Sequence, residues 1–198
     1  MAVTIAPLGG RHVNHFWRLL SALQIPYLTL LDLDISRFQG GWGRVKYVND
    51  QLGQHEPGLK LPPDHGIPKW NSDVAKIADY LHYLEKLEEN GVFFSYPMDL
   101  DFALLLAFPD EYEVERELPD ADLIKAVLGK SHHDSSQYTD DQLELFATYH
   151  SKFKVGSKPA SHIEALANLT DEVMAAGMPA SLDRLADAVM KKLEELPE

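Results

Sequence analysis

The sequence predicts an α/β fold, in which a compact parallel sheet is flanked by helices and followed by a C-terminal helical portion. Two apolar runs, residues 27–34 and Val92–Ser95, have the length and composition of buried strands, and a helical pattern precedes each of them. Strands separated by helices pair in parallel, because a parallel connection needs a long crossover. After Pro109 the apolar pattern is helical throughout. We therefore expect an α/β core over residues 1–108 and a helical portion packed on it over residues 109–198.

The cysteine content, the apolar runs and the net charge of the chain exclude several classes of protein. The chain has 198 residues, a formal net charge of −13 and no cysteine. Without cysteine there is neither a disulfide framework nor a thiolate metal site, which fits a reducing compartment and favours the cytoplasm. No apolar run approaches the roughly 20 residues of a membrane span. The acidic charge argues against a basic nucleic-acid surface, so another domain or subunit is expected to supply contacts to a phosphate backbone.

The first predicted unit is a strand, a glycine pair and a helix. Residues 2–8 have the composition of a short strand, and residues 11–24 carry apolar side chains at a helical period. Between them, Gly9 and Gly10 permit a tight turn or a close approach of the backbone to a ligand. We interpret the pair as a loop beside an active site, where it contacts substrate, with a plain turn as the alternative.

The strand over residues 27–34 ends in two aspartates. Side chains two residues apart in a strand point to the same side, so Asp32 and Asp34 are expected to project together from its carboxyl end, where open α/β sheets bind ligands. Neighbouring carboxylates repel each other, and a hard divalent cation such as Mg²⁺ or Mn²⁺ relieves that repulsion. The pattern therefore predicts a metal site. The alternative is a pair that only ends the strand and caps the next turn.

The loop after these aspartates is rich in glycine and carries two arginines. Arg37 and Arg44 are suited to bind substrate phosphate, because a guanidinium forms paired hydrogen bonds with phosphate oxygens. In the alternative interpretation, each arginine pairs with a surface acid. A helix is predicted next, over residues 42–52.

A second group of acids follows the second predicted strand. A long amphipathic helix over residues 72–90 leads into the strand Val92–Ser95. Asp99 and Asp101 come directly after that strand and before a short apolar helix over residues 102–108. Because aspartate is a favoured helix cap, we expect one of the two to cap this helix and the other to reach the metal ions.

The C-terminal portion carries one basic residue at a junction between predicted helices. Four helices are predicted there, over Ala121–Leu128 and over residues 139–153, 159–169 and 181–196. Lys158 lies between the second and the third, directly before Pro159. A lysine at such a junction is most often a plain surface charge, and the alternative interpretation is a lysine that neutralises negative charge on a reacting phosphate.

Four segments, PLGGRHVNHFWRLL, LTLLDLD, VFFSYPMDLDF and GSKPASHIEAL, resemble the Toprim nuclease region of the overcoming lysogenization defect (OLD) family of ATP-dependent endonucleases. The resemblance extends over most of the chain, and its most specific parts are the first aspartate pair and the downstream lysine. It implies a Toprim fold, in which a compact parallel sheet lies between helices. It also implies hydrolysis of phosphodiester bonds, by nicking or cleavage, with two Mg²⁺ or Mn²⁺ ions.

The resemblance also implies roles for particular residues. Asp32 and Asp34 match the family's metal-binding aspartates, and Asp101, with Asp99 beside it, matches the acidic position after the next strand. Lys158 matches the catalytic lysine. The family further implies DNA as the substrate, and an ATPase domain or subunit of the same system as a partner.

The sequence departs from the family pattern near its N-terminus. A Toprim domain opens with a strand that ends in a glutamate, whereas no acid precedes Asp32 here, and no Walker A motif is present. We therefore expect an excised or split part of a longer protein, or a degenerate relative, with an incomplete metal site. A sheet without its first strand also leaves an open edge, so we expect self-association into a homo-oligomer.

Two other functions are compatible with the sequence. The first is a catalytically incomplete Toprim-like module that serves in dimerisation or partner binding. The second is a phosphatase of the haloacid dehalogenase kind, which also uses an Asp-x-Asp pair, with the first aspartate as nucleophile. A small phosphomonoester distinguishes phosphatase from nuclease, because only the phosphatase would hydrolyse it.

Overall fold

The computed structural model describes residues 3–8, 13–55, 67–68, 81–129 and 135–195. In these residues the fold is helix-rich, with a small parallel sheet of two strands, β1 (Thr29–Asp32) and β2 (Val92–Ser95). The helices of the first part are α1 (Asn14–Ala22), α2 (Trp42–His55), α3 (Leu81–Glu88) and α4 (Leu100–Ala107). Those of the C-terminal part are α5 (Ala121–Leu128), α6 (Asp140–Leu143), α7 (Phe146–Tyr149), a π-helix (His150–Val155), α8 (Lys158–Leu166), α9 (Asp171–Gly177) and α10 (Ala180–Glu194).

The two strands run in parallel and end at the same edge of the sheet. Thr29 pairs with Val92 at one end of the ladder, and Asp32 pairs with Ser95 at the other. One further hydrogen bond, from the Leu33 amide to the Ser95 carbonyl at 2.9 Å, continues the pairing beyond the strands. Because both strands end here, the segments that follow them meet at this edge, as the sequence predicts.

The predicted sheet is larger than the observed one. Residues 3–8 form no strand, and Ile5 is 88% exposed. A strand needs partners for its backbone hydrogen bonds, and this segment has none in the described part of the chain. The prediction that β1 is buried on both faces is also wrong, because β1 is only partly buried. Every residue of β2 is buried, and α3 and α10 pack against that strand.

One hydrophobic core joins the two portions of the chain that the sequence predicts. Trp42 of α2, Phe94 of β2 and Phe146 of α7 are each at most 2% exposed and belong to the same cluster. Phe102 of α4 packs edge-on against Phe146 and Tyr149, with ring centroids 5.9 and 5.5 Å away. Such aromatic pairs add about 0.5–1.5 kcal/mol each beyond the burial of area. This packing fixes α4 against α7, and so fixes the residues at the start of α4.

The last helix packs back on the sheet. α10 lies against β2, and the Arg184 guanidinium donates two hydrogen bonds to the Glu88 carboxylate of α3, at 2.6 and 2.8 Å. The Glu88 side chain is 8% exposed, so the carboxylate is shielded from solvent. These contacts hold the end of the chain to the α/β core.

Most predicted helices in the described residues are present, with changes at their ends. The bounds of β2 and α5 are those predicted, whereas the predicted helix over residues 139–153 is divided into α6, α7 and the π-helix, and α9 is not predicted. Of the predicted helix over residues 72–90, only residues 81–90 are described, and Gly9 and Gly10 lie outside the described residues. No helix in the described ranges is long and apolar enough to cross a membrane.

Candidate functional site

β1 ends at Asp32, whose carboxylate lies at the edge of the sheet. Its Oδ1 accepts hydrogen bonds from the Ser95 hydroxyl at 3.0 Å and from the Leu100 amide, at the start of α4, at 3.3 Å. Among the described residues, its Oδ2 has no hydrogen-bond or ion-pair partner. Asp32 is exposed to solvent. The protein therefore fixes one oxygen of this carboxylate and leaves the other open.

The chain leaves the strand direction between Asp32 and Asp34. Asp34 has φ +52°, in the left-handed region that non-glycine residues rarely adopt. The loop folds back so closely that a Cβ at Gly40 would lie 2.0 Å from the Asp34 carbonyl oxygen, and the Gly41 amide donates to the Leu33 carbonyl at 2.6 Å. The rule that alternate strand residues share a face therefore does not apply, and the two carboxylates have different partners.

The Asp34 carboxylate is held by the two arginines of the loop. Arg37 contacts its Oδ1 and Arg44 contacts its Oδ2, both at 2.7 Å, and the three side chains are 11–17% exposed. Arg44 also donates to the main-chain carbonyl of Asp32. Both arginines that are predicted to bind substrate are thus engaged with an aspartate of the site itself, and their binding to substrate stays a prediction.

Arg37 also connects the loop to the rest of the site. Its guanidinium lies 3.2 Å from the Asp99 carboxylate and donates to the Tyr149 hydroxyl at 2.9 Å. Burial and the charge of Asp99 raise the pKa of Tyr149, so the hydroxyl keeps its proton and donates to Asp99 at 2.5 Å. We call Asp34, Asp99, Arg37, Arg44 and Tyr149 the arginine network.

The two aspartates around the start of α4 have separate partners. Asp99 is the helix cap, because its Oδ1 accepts a hydrogen bond from the Phe102 amide at 3.0 Å. Asp101, in the first turn, pairs instead with Lys158 and His162 of the C-terminal portion. The expectation that one acid caps the helix is confirmed, whereas metal binding by the other stays a prediction.

Lys158 and His162 are four residues apart in α8 and reach the same carboxylate. The Lys158 ammonium donates to Asp101 Oδ2, and Nε2 of His162 lies 3.0 Å from Oδ1. Residues at this spacing share one face of a helix, so α8 presents both to α4. The sequence interpretation includes Lys158 but not His162, although the spacing of four was a usable signal.

A buried tyrosine orients the His162 ring. Nδ1 of His162 lies 2.7 Å from the Tyr112 hydroxyl, and the ring stacks on Phe153 with centroids 5.0 Å apart. Burial and the charge of Asp101 raise the pKa of Tyr112 to about 12, so the hydroxyl is protonated and donates to Nδ1. This arrangement favours the tautomer in which Nε2–H donates to Asp101.

Asp32 and Asp101, which we call the outer carboxylates, have opposite electrostatic surroundings. Asp32 is exposed at the edge of the sheet, but the surrounding protein partly buries its carboxylate. This partial burial, and after it the charge of Asp99, raises the pKa of Asp32 above its ordinary value. Burial acts in the same direction on Asp101, but the hydrogen bonds from Lys158 and His162 outweigh it and lower its pKa. Asp32 is therefore the outer carboxylate whose ionisation lacks a compensating cation.

The site is rich in carboxylates, but cations of the same chain already balance most of their charge. Mg²⁺ and Mn²⁺ prefer carboxylate oxygens, and Asp32 has an open one. Asp34 and Asp101 are paired with arginine or lysine. In the part of the chain that the structure describes, no group of three or more acidic or histidine side chains is arranged to hold a metal ion. The residues fit a first ligand at Asp32, and a further ligand requires that an aspartate leave its ion pair.

Comparison with known protein families gives a match at the N-terminal part of the chain. The model of the Toprim domain of overcoming lysogenization defect protein-like proteins matches residues 1–34 of the 198. The matched segment contains α1, β1, Asp32 and Asp34. Comparisons with curated proteins and with solved structures gave no match. The family match supports a Toprim relationship of the OLD-like kind and suggests a domain of nucleic-acid metabolism.

Proposed function

We propose that the chain is a metal-dependent nuclease domain of the OLD-like Toprim kind, which hydrolyses phosphodiester bonds in DNA. The position of Asp32 carries the proposal. This residue ends β1 at the edge where α/β sheets bind ligands, within the segment that the family model matches, and it has an open oxygen and a raised pKa. A carboxylate in such surroundings is one that a bound cation stabilises.

Different residues of the site have different roles in the proposed reaction. Bound Mg²⁺ or Mn²⁺ supplies an activated water and stabilises charge on the leaving oxygen. Asp32 serves as the first ligand, and Asp101 as a second once Lys158 releases it. That release costs less than breaking a pair of the arginine network, because the Lys158 side chain is 48% exposed and its ammonium returns to water, although the Asp101 side chain is only 14% exposed. Lys158 then stabilises negative charge that develops on the phosphate.

Partners are part of the same proposal. A net charge of −13 leaves few cations for a DNA backbone. We propose that this chain alone holds DNA weakly and only at low salt, that an ATPase domain or subunit of the same system supplies most of the contacts, and that self-association brings further ones. The open side of β1 supports self-association, because an unpaired strand edge in the described residues is a site for pairing with another chain.

A second candidate function is a non-catalytic Toprim-like module that binds a partner. The pairing of Asp34 and Asp101 with cations of the same chain favours it, because it leaves few carboxylate oxygens for metal. A phosphatase of the haloacid dehalogenase kind would use Asp32 as nucleophile, and its substrate distinguishes it from a nuclease.

A plasmid-nicking assay with Mn²⁺ or Mg²⁺ at low salt tests the proposal on the wild type, Asp32→Asn and Asp50→Asn. Asp50 is a matched control, because it is a half-exposed aspartate of α2 that pairs with Lys46. We expect the wild type and Asp50→Asn to nick the plasmid, and EDTA to stop both. The nicking rate of Asp32→Asn should be lower by about 100-fold or more, since even groups that only orient a metal ligand contribute roughly 10–100-fold to metal affinity or activity.

Three results would overturn this assignment in different ways. Nicking by Asp32→Asn at the wild-type rate would exclude the metal centre at Asp32. No nicking by the wild type with either metal would favour the non-catalytic module. Hydrolysis of p-nitrophenyl phosphate without nicking of DNA would favour the phosphatase.

A further inference from the structure

A π-helix connects the arginine network to α8. Helices of this kind are rare and frequently occur at functional sites. It follows Tyr149 directly and ends at Val155, and a Cβ at the next residue, Gly156, would lie 2.8 Å from the Ser151 carbonyl oxygen. The turn into α8 therefore requires glycine, and it separates Lys154, at the end of the π-helix, from Lys158, at the start of α8.

Lys154 is held over an aromatic ring of the arginine network. Its ammonium nitrogen lies 5.3 Å from the centroid of the Tyr149 ring, which is within the range of a cation–π contact. The hydroxyl of the same tyrosine is bonded to Asp99 and Arg37. The ammonium is thereby placed beside the acidic site while Lys154 stays exposed to solvent.

Lys154 differs from the other cations of the site in its partners. The two arginines pair with Asp34, and Lys158 pairs with Asp101. Within the described ranges, the Lys154 ammonium has no carboxylate at ion-pair distance, and the aromatic ring that it contacts carries no net charge. Partial burial of the ammonium and the positive charge of Arg37 lower the pKa of Lys154, and they outweigh the opposite effect of Asp99 and Asp34.

We propose that Lys154 binds a non-bridging oxygen of a phosphate in the nucleic-acid backbone. The inference rests on the proposed function and deepens it by naming a protein group that contacts the substrate. A phosphate reaches Lys154 without breaking an ion pair, whereas binding to Arg37, Arg44 or Lys158 takes a cation away from an aspartate. Because the phosphate is the same at every nucleotide, the contact carries no sequence information.

The position of Lys154 relates this phosphate to the proposed metal centre. The charges of Lys158, Asp99 and Asp34 all act on the Lys154 ammonium, so it lies within the same electrostatic environment as those groups. A phosphate bound there lies beside Tyr149 and in the field of Asp34 and Asp99, the aspartates of the arginine network. We infer that Lys154 positions the strand on which the reaction takes place.

The test measures binding of fluorescently labelled double-stranded DNA by anisotropy over a range of salt concentrations, with EDTA present so that no cleavage occurs. Each phosphate contact contributes about 0.9 to the slope of log K against log salt. We expect Lys154→Met to reduce the slope by about that amount and to weaken binding about tenfold near 0.1 M salt. Lys154→Arg, which retains the charge, is expected to keep both.

Lys86→Met is the matched control. It removes the same charge from α3, where Lys86 pairs with Glu89 at 2.7 Å and both side chains are more than half exposed. Thermal unfolding by circular dichroism verifies that each variant is folded.

If the wild type binds DNA and Lys154→Met behaves as Lys86→Met does, the Lys154 contact is refuted while the proposed function stands. If Lys154→Arg fails to restore a loss, the effect is structural and the contact is also refuted. If the wild type binds no DNA at low salt, the proposed function fails first.

Discussion

The arginine network and the outer carboxylates lie side by side but are built differently. In the arginine network each aspartate has a guanidinium partner, and no charged side chain is more than 17% exposed. Of the outer carboxylates, Asp32 has an open oxygen, and Asp101 is held by Lys158, whose side chain is 48% exposed. One region is closed by buried ion pairs. In the other, Asp32 and the Lys158 side chain are exposed to solvent, and only the Asp101 side chain, at 14% exposure, is shielded.

Because of this difference, we expect the arginine network to contribute mainly to stability and the outer carboxylates mainly to the proposed reaction. Buried ion pairs are costly to break, so the arginine network fixes the loop after β1 and the start of α4. Exposed pairs are weak and can exchange a lysine for a metal ion or a phosphate. Asp32 and Asp34 are only two residues apart, yet one belongs to each region. We therefore expect substitutions in the closed region to affect folding, and those in the open region to affect function.

Removal of Arg37 is expected to have the largest effect on stability. Arg37→Ala leaves the Asp99 carboxylate, which is 8% exposed, without a cation, and unpairing a buried charge costs about 3–5 kcal/mol. Urea unfolding followed by circular dichroism measures the loss. Lys158→Ala is the comparison in the open region, where we expect at most about 1 kcal/mol. Equal losses in the two variants would contradict the division into a closed and an open region.

The second prediction concerns activity in the open region. Lys158→Ala is expected to reduce plasmid nicking roughly 100-fold, because a group that stabilises charge only in the transition state typically contributes this much. Mn²⁺ affinity should be unchanged or higher, since the ammonium that competes for Asp101 is gone. Lys86→Ala serves as the control and should nick at the wild-type rate. A wild-type rate in Lys158→Ala would remove this lysine from the mechanism.

The outer carboxylates should respond to pH in opposite ways, which gives a third and smaller prediction. The folded-state pKa of Asp32 is raised, so its ionisation destabilises the fold above that pKa, and the penalty vanishes as pH falls to the ordinary value of 3.8. The folded-state pKa of Asp101 is lowered, so its contribution is present above 3.8 and is lost as pH falls through the folded pKa.

Unfolding free energies in metal-free buffer, from roughly pH 3 to pH 8, test this difference. At neutral pH we expect Asp32→Asn to stabilise the protein and Asp101→Asn to destabilise it, and both effects should shrink in acid. If the two substitutions shift stability in the same direction, the outer carboxylates do not differ in the way that the structure indicates.

Local signals were sufficient to predict several elements from the sequence. The apolar run of β2, the capped pattern of α5 and the aspartate cap of α4 each depend on residues that are close together in the chain. Residues 3–8 show the limit of such signals, because their composition suits a strand but no partner strand pairs with them in the described residues.

The candidate site depends on contacts that local patterns do not contain. His162 and Asp101 are 61 residues apart, and their pairing follows from the packing of α8 near α4. The direction of the Asp34 side chain follows from the close approach of Gly40 to its carbonyl group. The sequence therefore predicted which acids and which lysine to consider, but not which of them are already neutralised.

The central claim is that Asp32 is the open carboxylate to which a divalent cation binds. Mn²⁺ binding by electron paramagnetic resonance tests it most directly, on the wild type, Asp32→Asn and the control Asp50→Asn, with circular dichroism to verify folding. The account predicts equal Mn²⁺ affinity for the wild type and Asp50→Asn, and an affinity lower by about tenfold or more for Asp32→Asn. Equal affinity of folded Asp32→Asn and the wild type for Mn²⁺ would contradict it.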